Sequence, residues 1–198
     1  MAELTDVHMD ALREMGSIGA GNAATALSQL ISEKIDISVP SVKVVPLDSV
    51  SYELGGPEKL VYVVYFEVLR EMRGTMLTLF PPASAAFLTK RLLGEEEVDM
   101  TTEIAQSALK EVGSILCGSY LSALTQAVAM NAVASVPAMA NDMLGAMLDF
   151  ILAEIGQVAD EIFLIDVELV VSGTRLECSQ LYLPKPEALE AVIAALGM

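Results

Sequence analysis

The chain has 198 residues, 27 acidic and 11 basic side chains, a net charge of −16, and 54% hydrophobic residues. That length and apolar content support a real core and exclude a disordered chain, which combines low hydrophobicity with high charge. Lys and Arg so few and scattered also exclude a nucleic-acid surface, which needs clustered cations.

In chain order, Leu12, Met15, Ile18, Leu27 and Leu30 recur at helical spacing and predict a first helix. Ile35 to Pro46 reads as a strand, with Pro40 and Pro46 implying an edge or a bulge. Leu60 to Leu69 and Thr75 to Phe80 form a hairpin around Arg70 to Gly74. Pro81 and Pro82 stop it, and a helix follows from Ala83 to Leu93, ending at Gly94. Gly94 to Thr102 is an acidic boundary loop, with Glu95, Glu96 and Glu97 expected to cap the next helix.

The order then starts again. Ala11-Leu12-Arg13-Glu14-Met15-Gly16-Ser17-Ile18 aligns without a gap with Ala108-Leu109-Lys110-Glu111-Val112-Gly113-Ser114-Ile115, 97 residues later. At the same offset Ser38-Val39-Pro40 falls on Ser135-Val136-Pro137. A second helix is therefore expected, then a hairpin of Glu161 to Val171 with Arg175 to Leu183. A last helix runs from Glu187 to Leu196, with Gly197 matching Gly94. Asn141 to Gln157 reads as an extra helix present only in the second half. The expectation is one domain over residues 1–198 built from two repeats, about 8–94 and 103–198. Its fold class is α/β (α+β): two halves related by a pseudo-twofold axis share one antiparallel sheet flanked by helices.

No apolar run matches the roughly 20 residues of a membrane span. Met143 to Gly156 comes closest and carries Asp149 and Glu154. The N-terminus is acidic where a signal peptide is basic, so the expected location is the cytoplasm. Cys117, Cys178 and the single His8 have no metal-ligand spacing, and the thiols read as reduced core residues. The acidity keeps an apolar-rich chain soluble, and it also suits a partner with a basic face.

Any chemistry lies in the two repeated helices. Glu14 and Ser17, like Glu111 and Ser114, are three residues apart and share a helix face, with Asp10 and Ser107 one turn earlier. Two matching polar pairs imply two equivalent sites. The plainer reading is that Gly and Ser allow close helix packing while Glu is solvated. Gly16, Gly19 and Gly21 do not make a dinucleotide loop, because a helix rather than a strand leads into them. Ser17 and Ser114 directly follow Gly, which does not fit the Gly-x-Ser-x-Gly elbow of a serine hydrolase.

These residues resemble the CheC/CheX/FliY family of chemotaxis proteins, and its CheC branch most. The family motif is Asp or Ser, three residues, Glu, two residues, Asn, twenty-two residues, Pro. Here it reads Asp10, Glu14, Ser17, Pro40, and again Ser107, Glu111, Ser114, Pro137. The resemblance implies dephosphorylation of the response regulator CheY-phosphate, with the deamidase CheD as a second partner. It implies that Glu14 and Glu111, beside Asp10 and Ser107, anchor the regulator, while the residue at Ser17 and Ser114 orients the attacking water, as the Gln of a GTPase does. No cofactor of its own is implied, because the regulator carries the Mg²⁺. Both positions where the family has Asn are Ser here. A hydroxyl is shorter than a carboxamide, and its donor and acceptor share one atom. Two outcomes are therefore open: hydrolysis of the aspartyl phosphate, or a weakened module that binds CheY-phosphate or CheD without hydrolysis.

Overall fold

The computed structural model describes residues 5–155 and 160–196. The first helix, α1 (Asp6–Ile31), leads into strand β1 (Ile35–Pro46), a 3₁₀ turn at Leu47–Ser49 and the short helix α2 (Val50–Glu53). Strands β2 (Leu60–Arg70) and β3 (Gly74–Phe80) form a hairpin, followed by α3 (Pro82–Leu93). The second half follows with α4 (Glu103–Val128), β4 (Ala132–Ala134), β5 (Ala138–Met143) and α5 (Leu144–Ile155). Its hairpin β6 (Glu161–Val171) and β7 (Thr174–Pro184) ends in α6 (Pro186–Leu196). Both long helices have 26 residues and begin 97 positions apart.

Among the described residues every strand joins one antiparallel sheet in the order β1-β6-β7-β3-β2-β4, with β5 also on β2. The fold is thus α+β with an antiparallel sheet, as the sequence predicts. The strand after each long helix is an edge, and it pairs outside its own half: β1 on β6, and β4 with β5 on β2. The bulge expected at Pro40 lies in a register shift between Ser38 and Ser41.

Alternation along the strands divides the core in two. Val64, Phe66 and Tyr182 face a cluster with Leu12, Met15 and Leu27 of α1, Leu109, Val112 and Leu116 of α4, Leu88 of α3 and Val192 of α6. Val63, Leu77 and Leu181 face the other way, onto Val50 and onto Leu144, Met147 and Leu148 of α5. Three layers result, with α1 and α4 across the larger face. Cys117 and Cys178 are both buried and free.

Three expectations need correction. Asn141, Asp142 and Met143 are strand residues, because Ala138 to Met143 completes the backbone hydrogen bonding of β2 from Tyr65 to Leu60. Helix α5 therefore starts only at Leu144, and Gln157 and Gly197 lie outside the described residues. That helix also has a short counterpart in the first half, the turn and α2 from Leu47 to Glu53. It is cut off by Gly55 and Gly56, which take φ of 103° and 109°. Third, the acidic run does not cap α4. The Thr102 side chain accepts from the Ala105 N–H at 3.3 Å, while Glu95, Glu96 and Glu97 stay exposed.

Candidate functional site

Each long helix buries one face and leaves the other to solvent. On α1, Asp10, Glu14 and Ser17 are all exposed; on α4, Ser107 and Glu111 are exposed and Ser114 is half-buried. The i, i+4, i+7 spacing places each trio on one stripe. Each set of candidate residues is thus brought together on its own helix, on a convex surface.

What fixes the helices is on their inner side. A Cβ on Gly16 would lie 3.3 Å from Val39 and Val42 of β1, and one on Gly113 would lie 2.9 Å from Val64 of β2. Where the helices meet, a Cβ on Gly19 would lie 2.6 Å from the Tyr120 ring. The packing reading is correct for these three glycines, and its solvated Glu agrees with exposed Glu14 and Glu111; it does not account for exposed Ser17. At the start of α1 the Thr5 N–H donates to His8 Nδ1 at 3.0 Å, so the single histidine holds a helix end.

The polar groups differ in how they are engaged. Asp10 accepts from Arg13 Nη1 at 2.8 Å, an exposed pair one turn apart. Ser17 Oγ donates to the Arg13 carbonyl at 3.1 Å, and Ser114 Oγ donates to the Lys110 carbonyl at 2.8 Å. Both hydroxyl protons are therefore tied to the preceding helical turn, which leaves the oxygen lone pairs as acceptors. Neither Glu14 nor Glu111 is in a salt bridge among the described residues. Both carboxylates are open to an incoming cation. Asn22, the nearest carboxamide on α1, is eight residues beyond Glu14 and so about 80° around the helix.

Beside these residues are side chains that the motif does not single out. Val7 is 67% exposed and Ile104 65%, each seven residues before its Glu; Ile18, one turn after Glu14, is 47% exposed. The signal in the sequence is an apolar residue that breaks the helical pattern on the polar face. Among the described residues no group of three or more His, Cys, Asp or Glu could hold a metal ion. No helix there is long and apolar enough to cross a membrane.

The antiparallel sheet with two long helices across one face is a fold that solved structures share. It is shared with FliY of Thermotoga maritima, at a TM-score of 0.79 and 20% identity, covering 100% of this chain and 98% of that one. It is also shared with the FliM middle domain of H. pylori, at 0.67 and 17%, covering 97% and 99%. In sequence, the model of the CheC-like family matches residues 7–44, which span α1 and most of β1. The chain is 32% identical over 200 residues to the CheY-P phosphatase CheC of Bacillus subtilis (strain 168), covering 98% of this chain and 96% of that protein. It is 30% identical over 126 residues to the flagellar motor switch phosphatase FliY of the same organism, covering 62% of this chain and 32% of that protein. The chain belongs to the CheC-like family.

Proposed function

We propose that this chain docks on a phosphorylated CheY-type response regulator through the exposed faces of α1 and α4 and accelerates loss of the aspartyl phosphate. The observation that carries the reading is the match of 32% over almost the whole chain to a CheY-P phosphatase. Glu14 and Glu111 stand free on the surface, where such a partner would reach them. Each carboxylate anchors a cationic side chain of the regulator, with Asp10 and Ser107 beside it. Ser17 and Ser114 then accept a hydrogen bond from a water held in line with the phosphorus. The water adds, the bond from phosphorus to the aspartyl oxygen breaks, and phosphate leaves with the carboxylate restored. Positioning carries such a reaction, so the chain needs no metal of its own and the Mg²⁺ belongs to the regulator. The deamidase CheD is proposed as a second partner, and the cytoplasm as the location.

A second reading is docking without hydrolysis. It is favoured by the two serine protons donated to helix carbonyls, which leave an acceptor but no free donor at the site. Phosphate loss from a CheY-type regulator, timed with and without this protein, separates the two. Acceleration that disappears in Glu14→Ala/Glu111→Ala supports the phosphatase. Binding that the same substitutions abolish, with no acceleration by the unaltered chain, supports the docking module.

A further inference from the structure

Three glycines of the long helices are explained by what they touch, and two are not. Gly16, Gly19 and Gly113 lie against Val39 and Val42, Tyr120, and Val64. A Cβ on Gly21 or Gly118 would meet nothing within 4 Å. Neither has a positive φ. In an exposed helix interior glycine is the least favourable residue apart from proline, so the fold gains nothing from the missing side chain.

Both glycines sit at the same place, seven residues after Glu14 and Glu111. Seven residues are about 10 Å along the axis and within about 20° of the same direction. Seven residues before each Glu stand Val7 and Ile104, 67% and 65% exposed. Each carboxylate is therefore the midpoint of a line about 21 Å long, with an exposed β-branched side chain at one end and bare backbone at the other. A line of that length fits inside one standard interface of about 800 Å² per partner.

We infer that Gly21 and Gly118 are the points where the phosphorylated response regulator comes into van der Waals contact with the helix backbone. Val7 and Ile104 close the opposite end of each footprint. The inference rests on the regulator-docking reading above and deepens it: Glu14 and Glu111 supply the charge, and the glycines set how close the partner comes. A methyl group at either glycine holds the surfaces apart by roughly 1 Å, which is enough to lengthen the contact at the neighbouring Glu.

The test compares two readouts that a merely structural glycine would not separate. The variant Gly21→Ala/Gly118→Ala is unfolded thermally and titrated against a CheY-type regulator held in its activated state with beryllofluoride and Mg²⁺. Tm should rise by about 2–8 °C while binding weakens about tenfold or more. In Val7→Gln/Ile104→Gln, binding should weaken about three- to tenfold. A higher Tm with unchanged affinity overturns the inference. If Glu14→Ala/Glu111→Ala loses binding while the alanine and glutamine variants bind like the unaltered chain, this inference fails and the regulator reading stands. No binding by the unaltered chain overturns both. A dimer in sedimentation that the alanine variant dissociates makes a second copy the occupant, and also overturns it.

Discussion

Replacing Gly19 by alanine tests whether α1 and α4 are held at a single separation. The added Cβ would stand 2.6 Å from Tyr120 Cδ1 and 3.1 Å from Tyr120 Cα, where carbon atoms prefer about 3.5–4.0 Å, so something must move by roughly 1 Å. The ring has little room to yield: Tyr120 is 3% exposed, and its hydroxyl is buried without a partner among the described residues. The Cα belongs to α4 itself, so the relief must come from the helices parting. Overpacking of this kind costs about 1–3 kcal/mol. Alanine regains about 0.5–1 kcal/mol over glycine within a helix. The expected net loss is about 1 kcal/mol, a fall in Tm of about 2–4 °C for a domain of this size. Calorimetry and urea unfolding read it directly. In a Tyr120→Leu background the penalty should shrink, giving a measurable coupling between the two positions. A rise in Tm for Gly19→Ala comparable to that of Gly21→Ala would refute the reasoning, since it would mean that the contact imposes no limit.

Other outcomes follow from the same geometry. Ser17→Asn/Ser114→Asn places separate donor and acceptor atoms further out from each helix, and phosphate release from the regulator should accelerate about 10- to 100-fold; an unchanged rate removes these positions from the chemistry. Tyr182→Phe deletes the buried bond from the Tyr182 hydroxyl to the Met72 carbonyl, 2.9 Å long, and should lower stability in urea by about 1–3 kcal/mol; a loss below about 0.3 kcal/mol would contradict it. Burial pushes the Cys117 thiol up to about 12 from 9.0, and raises Cys178 as well, so a thiol reagent at pH 8 should label neither until the chain unfolds. Between about pH 9 and 12 the unfolded chain binds fewer protons at these thiols than the folded one, so stability falls as pH rises. Buried Tyr120 and Tyr182, also raised, add to the fall. The decline in Tm should be shallower in Cys117→Ala/Cys178→Ala, and equal slopes would count against the assignment.

Local patterns were the readable part of the fold. The hairpin turns at Arg70 to Gly74 and Ser172 to Thr174, the proline stops and the Gly94 end lie where the sequence predicts them, because turn chemistry acts within a few residues. The strand from Ala138 to Met143 was not readable, since its backbone pairing depends on β2 and its side chains are mostly exposed, leaving little alternation. The methionines along this stretch divide accordingly: Met139 is half-buried, Met143 49% exposed and Met147 buried. At the site, spacing alone places Asp10, Glu14 and Ser17 on one outward stripe. That Ser17 and Ser114 donate to their own helix depends on rotamers, which no spacing specifies.

The exchange of edge strands between the halves has a consequence during synthesis. Ile35 pairs with Val171, 171 − 35 = 136 residues further on. At about 5–20 residues per second, β1 waits on the order of 10 s for β6, its one sheet neighbour among the described residues, to leave the ribosome. During that time Ile35, Val42 and Val45, all buried in the finished protein, have no sheet to join. Pro40, which has no backbone N–H to give to a ladder, and charged Asp36 and Lys43 on either side are already in the chain, and they disfavour pairing with another nascent chain. The proline and the charges therefore guard the strand before the fold exists, and the second half completes the first rather than adding to it.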